Sequence, residues 1–395
     1  MNDYSYLCTE QTIITTTMKK VLITMLILLI GSMASQAQTS KAEKIKDIRA
    51  AYAKAKEMIA ENGKGGNPAL DMHVAMRTVN EVDEDLTIED DTDVDFYFIK
   101  KRRYNTKDEM FYEENVCYFI VERWGANGHT RYREMLFDSE TEKLVFSFVK
   151  SESHAGFEVE TRYYYDSDGK LIDEKLKVEG KDVDPGDHLY GDADGDRHSA
   201  NHYLGIFQEI MQPKGNYIAA DGRAAVGQTK DERLKTIRTS YAQAKEQIEK
   251  TKGNETGSLS IVVHDQEEGD CPPMIMEINY YFNEWDDGQA PMYRSYFISE
   301  HTHHNNMGYD QYSEFLLNDK EQRLGNDGKP AKTINPMFSY TCVREEGEKY
   351  EWRYYFDENG KCIETKSNHE DTDDGKNDKE KTHRLLHVFN ALMNP

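Results

Sequence analysis

An internal repeat is the feature of this sequence that most constrains its fold. The segment 48–59, IRAAYAKAKEMI, matches the segment 237–248, IRTSYAQAKEQI, at eight of twelve positions and at an offset of 189 residues. The segment 162–170, RYYYDSDGK, recurs in the same way as 353–361, RYYFDENGK, at an offset of 191 residues. A repeat of this length indicates that one structural unit was duplicated.

The ends of the repeated stretch match as well. The apolar residues of 204–213 recur over 386–395 at an offset of 182 residues. Because the beginning, the middle and the end recur in the same order, the sequence predicts two tandem copies of one domain, over 38–226 and 227–395. Each copy is long enough to bury a core of its own.

Each copy is predicted to begin with an amphipathic helix. Capping boxes begin at Ser40 and Thr229, and apolar residues follow at helical spacing on one face. Gly63 and Gly253 are positioned to end the two helices in the left-handed conformation. A single apolar stripe indicates that each helix covers a sheet.

Short strands joined by polar turns are predicted to follow each helix. Aromatic and β-branched residues are concentrated in segments 95–100, 116–121, 134–137, 144–149 and 157–166 of the first copy, and in 277–282, 294–299, 314–317 and 350–357 of the second. Closing helices are predicted near 197–211 and 382–393. The expected fold class is therefore α+β, with an N-terminal helix, an antiparallel β-meander sheet and a C-terminal helix in each copy.

The N-terminal region resembles a secretory signal peptide. Two lysines follow Met18, the run 21–30 is uncharged and apolar, and Ser35-Gln-Ala37 supplies small residues for cleavage after Ala37. The alternative is an uncleaved membrane anchor, but the run is shorter than the roughly 20 residues that span a bilayer. We expect translation from Met18 and an exported mature protein, periplasmic or secreted, with no membrane association after cleavage.

The charge of the chain argues against several partners. Asp and Glu number 73 against 49 Lys and Arg, which gives a net charge of −24. Nucleic acid and anionic membrane surfaces repel such a body. The only basic cluster, Lys100-Lys-Arg-Arg103, lies beside an acidic loop and is read as a locally salt-bridged surface.

A histidine cluster is the candidate metal site. His301 and His303 would share one face of a strand, with His304 beside them, and imidazole is a ligand of Zn²⁺ and Cu²⁺. The alternative is a hairpin tip, because Asn305 and Asn306 follow directly. The equivalent stretch of the first copy has no such ligands, so the pattern favours adventitious capture over a dedicated site.

Trp124, Trp285 and Trp352 are candidate ligand-binding residues. Exposed aromatic rings stack on sugars or on proline-rich peptides, which makes a glycan or a peptide a possible extracytoplasmic ligand. The alternative is half-buried packing, because aromatic residues are also favoured in strands.

Paired carboxylates occur in two kinds of segment. Asp166-Ser-Asp-Gly169 and Asp357-Glu-Asn-Gly360 contain acids of the type that glycosidases use, but they are better explained as hairpin turns. Segment 192–196, DADGD, begins like a calcium loop, although Arg197 and Tyr203 stand where that loop needs Gly and Glu. Acids before a helix, in 192–196 and in 371–375, are instead read as solvated and favoured by the helix dipole.

The cysteines and the absent motifs limit the disulfides, catalytic sites and cofactors that the sequence predicts. Cys117, Cys271, Cys342 and Cys362 remain after export; they allow three pairings, and we expect free thiols. The sequence has no G-x-S-x-G, H-E-x-x-H or phosphate-loop motif and no zinc-type cysteine spacing, so no cofactor and no catalytic residue is predicted.

The signal-peptide region, the Tyr-Tyr-Phe-Asp-x-Asn-Gly-Lys hairpin and the duplicated layout resemble uncharacterised exported tandem-repeat proteins of gram-negative bacteria. The resemblance covers the whole mature chain and implies no activity. The favoured function is a non-enzymatic binding or envelope-associated module. The alternatives are a hydrolase with a carboxylate-based site in the cleft between the repeats, and a structural spacer.

Overall fold

The computed structural model describes residues 41–393, apart from 65–66, 84–85, 106–109, 127, 185–191, 213–228, 252–256, 267–273, 287–290, 305–307, 319–334, 346 and 371–372. The predicted signal peptide, Gly253 and Cys271 lie outside these residues. No helix in the described ranges is long and apolar enough to cross a membrane.

The described part contains four helices and fifteen strands. The first half comprises α1 (Lys41–Glu61), β1 (Leu70–Asp83), β2 (Leu86–Asn105), β3 (Met110–Ala126), β4 (His129–Phe137), β5 (Leu144–Glu152), β6 (Glu158–Tyr165), β7 (Leu171–Val178), β8 (Lys181–Val183) and α2 (Ala193–Met211). The second half comprises α3 (Lys230–Thr251), β9 (Ser258–Asp265), β10 (Met274–Asp286), β11 (Pro291–His304), β12 (Tyr309–Leu317), β13 (Pro336–Glu345), β14 (Glu348–Phe356), β15 (Cys362–Ser367) and α4 (Lys376–Met393).

All fifteen strands form one antiparallel sheet. Each half is a meander in chain order, and the two meanders join where β1 pairs with β9, from Leu70 opposite Asp265 to Arg77 opposite Ser258. We call this β1–β9 boundary the seam. The α+β class and the antiparallel sheet are thus confirmed. The single sheet places residues of both halves side by side at its centre.

The closing helices α2 and α4 cover one face of the sheet together. Phe207 of α2 packs on Phe98, with ring centroids 5.5 Å apart, and Phe389 of α4 packs on Phe282 at 5.6 Å. The two helices and the strands of both halves belong to one continuous cluster of buried apolar residues. This differs from the expectation that each half buries a core of its own, because the seam makes the two apolar faces continuous.

The first helices α1 and α3 cover the other face separately. Ile48 and Tyr52 of α1 belong to a cluster with strands of the first half, and Ile237 and Tyr241 of α3 belong to a second cluster with strands of the second half. None of the four described helices therefore covers the sheet between α1 and α3, around the seam, on this face.

Strands β1 and β9 are absent from the elements predicted above, as are β7, β8, β13 and β15. Both β1 and β9 alternate apolar and polar residues: Met72 and Val74 of β1 are fully buried, whereas the neighbouring His73 is half-exposed. This period of two is typical of a strand with one buried face.

Candidate functional site

The open sheet face around the seam carries a set of charged and imidazole side chains that we call the junction strip. Its members project from β1, β2, β3 and β9 to β12 on the face of α1 and α3, and they are Asp71, His73, Arg77, Asp93, Asp95, Arg123, His264, Glu277, His301, His303 and Asp310. The side chains of His73, His264 and His301 keep exposed fractions of 43%, 35% and 37%. The strip is therefore accessible to a ligand.

His73 is held by a carboxylate on the neighbouring strand. Its Nδ1 donates to Asp95 Oδ1 at 2.6 Å, and Arg123 Nη1 donates to the other oxygen of Asp95 at 2.5 Å. The hydrogen bond to Asp95 raises the pKa of His73 above its ordinary value. Burial raises the pKa of Asp95, but the bonds from His73 and Arg123 outweigh it, so the pKa is lowered overall.

His264 forms the equivalent pair across the seam. Its Nδ1 lies 2.6 Å from Oδ1 of Asp71, which belongs to the other half of the chain. This hydrogen bond raises the pKa of His264 above its ordinary value. Asp71 is held from its other oxygen by Asn62 Nδ2 at 2.6 Å, just beyond the end of α1.

Two further pairs complete the strip. His301 Nε2 bonds to Asp310, whose second oxygen lies 3.4 Å from Arg344 Nη1. Arg77 Nη2 donates to Asp93 Oδ1 at 2.7 Å. Most strip carboxylates thus have a partner on an adjacent strand, which fixes their orientation before any ligand arrives.

Buried hydrogen-bonded clusters anchor the helices that border the strip. In the first half, Glu134 accepts from Tyr52, Tyr132 and Lys56, with a Lys56 Nζ–Oε1 distance of 2.6 Å. Burial raises the pKa of Glu134, but the bonds from Lys56 and the two tyrosines lower it overall. The side chain of Glu134 is only 4% exposed, so the cluster fixes α1 against β4.

The second half has the same arrangement of side chains. Glu314 accepts from Tyr241, from Lys245 Nζ at 2.8 Å and from Tyr312 OH at 2.6 Å. This cluster fixes α3 against β12. Both borders of the strip are therefore held by the same chemistry.

A second polar network lies on the face of α2. Arg133 Nε lies 3.1 Å from Asp196 Oδ1, and Arg133 Nη1 lies 3.2 Å from Glu122 Oε2. Asp196 is 4% exposed, so the interpretation of its acidic segment as solvated is wrong at this position. Asp192 of the same segment is the N-cap of α2 and accepts from Gly195 N at 2.8 Å.

The predicted histidine cluster is split by the alternation of the strand. The rings of His301 and His303 lie 4.9 Å apart, whereas His304 contacts Tyr309 at 5.9 Å. Within the described ranges, no group of three or more His, Cys, Asp or Glu is arranged to hold a metal. Metal binding by His301 and His303 stays a prediction.

The predicted tryptophan sites lie far apart. Trp124 is on β3 under the guanidinium of Arg131, and Trp352 is on β14 beside Tyr350. Seven strands separate β3 from β14 in the sheet order. Trp285 belongs to β10, but its side chain lies outside the described residues. Trp124 and Trp352 therefore do not form one platform, and ligand binding by the three tryptophans stays a prediction.

The turn interpretation of the paired carboxylates is confirmed. Asp166 Oδ1 accepts from Asp168 N and Lys170 N, both at 3.0 Å, and Gly169 has φ +79°. Asp357 and Gly360 repeat this geometry.

The interpretation of the basic cluster is also confirmed. Lys100 lies 2.6 Å from Asp265, and Arg103 Nε lies 2.9 Å from Glu114 Oε2. These cations are neutralised locally.

Three of the four cysteines are described. Cys117, Cys342 and Cys362 are free, as expected, and burial raises the pKa of the Cys117 thiol.

Comparison of the chain with protein-family models, with curated protein sequences and with solved structures finds no match. Of the strip residues, only His301 and His303 were singled out from the sequence, as a candidate metal site. The signal that indicates the strip is the alternation of polar and apolar residues in β1 and β9, which places Asp71, His73 and His264 on one face.

Proposed function

We propose that this chain is an exported, non-enzymatic binding protein, periplasmic or secreted, built from two related α+β units. The junction strip is its ligand-binding surface. The recurrence of the Tyr–Tyr–Lys–Glu cluster around Glu134 and Glu314 supports two related units, because one anchoring device appears twice at matching places. The signal-peptide pattern over 18–37 supports export.

The observation that carries the proposal is the row of half-exposed imidazole–carboxylate pairs, His73–Asp95, His264–Asp71 and His301–Asp310. The hydrogen bond within each pair holds both side chains in place, so little binding free energy is lost in ordering these side chains. Carboxylates only accept hydrogen bonds, guanidinium groups only donate, and imidazoles do either. A mixed surface of this kind suits sugar hydroxyls, which both donate and accept.

A neutral glycan is therefore the favoured ligand class. A glycan array probed with the purified protein tests it, followed by titration calorimetry on the best hit. Asp95→Asn is expected to weaken binding at least about tenfold, because one charge-assisted hydrogen bond contributes more than about 1.4 kcal/mol. Asp168→Asn, the same change at a turn residue whose side chain is 89% exposed, is the matched control.

The outcomes of this experiment separate the alternatives. If the protein binds no glycan but binds members of a peptide library, the ligand class is a peptide instead. If Asp95→Asn and Asp168→Asn weaken binding equally, the strip is not the binding site. No ligand in either screen leaves the structural spacer as the better description.

A hydrolase with a carboxylate-based site between the two halves is the second candidate. The observation in its favour is the His264–Asp71 pair at the seam, because a carboxylate at Nδ1 orients an imidazole for general base catalysis. A panel of esterase, glycosidase and peptidase substrates tests it. Turnover that is lost in Asp71→Asn supports the hydrolase, and turnover no faster than in buffer removes it.

Export has its own test. Expression from Met18 in a gram-negative host should place the mature protein, beginning at Gln38, in the periplasm or the medium. Leu26→Arg interrupts the apolar run and is expected to retain the precursor in the cytoplasm. Equal distribution of the two proteins would remove the signal-peptide interpretation.

A further inference from the structure

A cleft of about 410 Å³ lies between the closing helices α2 and α4. It opens on the face of the sheet opposite the junction strip, so it is a separate site and does not depend on the function proposed above. Its walls come from both halves, with His202, Gly205 and Glu209 on α2 and His387 and Ala391 on α4. The volume falls in the range of small-molecule sites, about 300–1,000 Å³.

Gly205 keeps one wall of the cleft open. It lies in the middle of α2, where a glycine is less favourable than an alanine. A Cβ built on Gly205 meets no heavy atom within 4 Å, so helix packing does not require a glycine here. The missing side chain instead enlarges the cleft.

Glu209 lines the cleft and has one carboxylate oxygen that lacks a donor. Its Oε1 is buried, and it has no hydrogen-bond partner in the described part of the chain. A buried acceptor without a donor is destabilising, and a ligand N–H group would remove this cost. Neighbouring amides do not supply the bond, since Gln208 Nε2 donates to Glu142 at 2.7 Å and Gln212 Nε2 to the carbonyl of Asn115.

His202 contributes a second acceptor. Burial lowers the pKa of His202, so its ring is neutral at neutral pH, and one ring nitrogen bonds to the backbone carbonyl of Ala391. The other nitrogen of a neutral imidazole accepts a hydrogen bond. The lining of α2 therefore combines a carboxylate with a neutral acceptor, inside a chain of net charge −24.

We propose that this cleft binds a small organic ammonium ion, whose N–H groups donate to Glu209 Oε1 and to the neutral ring of His202. Gly205 provides the space for the carbon skeleton of the ligand. Since α2 and α4 belong to different halves, the bound ion also links the two halves on this face.

Titration calorimetry with the full-length mature protein tests the proposal. The probes are putrescine, ethanolamine and butylamine, each of which carries N–H donors, and 1,4-butanediol serves as the uncharged counterpart of putrescine. Wild-type protein is expected to bind at least one of the cations saturably and to ignore butanediol. Glu209→Gln should weaken that binding at least tenfold, whereas Glu246→Gln, the same change on the exposed face of α3, should leave it unchanged.

Gly205→Leu is the second variant and should abolish binding by filling the cleft. If it fails to fold, Glu209→Gln alone decides, because it keeps the size of the side chain. Saturable binding by none of the three cations up to millimolar concentration overturns the proposal. Equal affinity of wild type and Glu209→Gln overturns it as well, since this indicates general attraction to an acidic protein.

Discussion

His264 of the second half bonds through Nδ1 to Asp71 of the first half, with 2.6 Å between Nδ1 and Oδ1. Because a carboxylate only accepts hydrogen bonds, the imidazole carries its proton on Nδ1 and leaves Nε2 for another partner. The bond spans β9 and β1, the only pair of strands through which the described halves join their sheets. The same imidazole therefore belongs both to the proposed ligand-binding strip and to the contact that joins the two halves at the seam.

The contribution of this pair to stability depends on pH. The pKa of His264 is raised in the folded protein, so its contribution is complete below the unfolded value of about 6.5 and is lost as pH rises through the folded pKa. Asp71→Asn is expected to lower the free energy of unfolding by about 0.5–1 kcal/mol at pH 6; the effect is small because both groups are partly exposed. At pH 9 the loss should be smaller, because His264 is then neutral. Urea denaturation at both pH values measures the difference.

An NMR titration of the His264 ring supplies the control. In Asp71→Asn its pKa should move down toward the ordinary value, while the pKa of His73, which bonds to Asp95, should stay raised. A destabilisation that grows with pH would contradict the assignment.

The anchors of the first helices should be similar in strength in the two halves. Glu134→Ala leaves Lys56 and two tyrosines without their acceptor, and Glu314→Ala does the same to Lys245 and its tyrosines. We expect each variant to lower the free energy of unfolding by about 2–3 kcal/mol. This is less than the full cost of breaking a buried ion pair, because both lysines are partly exposed. Chemical denaturation measures both, and a loss confined to one variant would show that the clusters are not equivalent.

Two substitutions at the buried Asp196 should separate the effect of losing its charge from the effect of losing its hydrogen-bond acceptor. Burial raises its pKa and Arg133 lowers it, with burial the stronger effect. A raised folded pKa means that the charged form costs stability above the unfolded pKa, so this cost falls as pH drops through the folded pKa. Asp196→Asn removes this cost but leaves Arg133 with one carboxylate partner instead of two, so at pH 7 we expect it to lower the free energy of unfolding by only about 1–2 kcal/mol. Asp196→Ala also leaves Ser147 without its acceptor and should lower it by about 3 kcal/mol. Equal losses would mean that hydrogen bonding at this position is unimportant.

The shared core predicts that the two halves unfold together. Phe207→Ala and Phe389→Ala remove fully buried rings from α2 and α4, and each should cost about 3–5 kcal/mol. Because both rings belong to one cluster, calorimetry should show a single transition that shifts to lower temperature in both variants. Two transitions, of which only one moves in each variant, would indicate independent cores.

The two matching hairpin glycines provide a comparison of local strain. Gly169 and Gly360 have φ of +79° and +72°, which costs an alanine about 1–2 kcal/mol at either position. A Cβ at Gly169 meets open space, but at Gly360 it overlaps the Asn335 side chain. Thermal denaturation should therefore show a larger loss for Gly360→Ala, and Gly360→Ala in an Asn335→Ala background should approach the cost of Gly169→Ala.

Local patterns predicted many elements of this protein correctly. The stripe of α1, the aromatic strand 116–121 and the Asp166–Gly169 turn are all found as expected, because each depends on neighbouring residues along the chain. The strip as a whole was not predicted, because nothing in the local sequence links His73 to His264 until β1 and β9 are placed side by side.

The sequence by itself determined the four helices, the aromatic strands and the apolar face of each helix, because period and turn chemistry are local properties. Only the tertiary structure decided that β1 and β9 pair edge to edge, that α2 and α4 share one core, and that imidazoles and carboxylates of both halves meet on the open face. The physical reason is that backbone hydrogen bonds at a strand edge are the same for every sequence. The choice of partner therefore depends on how the whole apolar surface is buried, which no local pattern records.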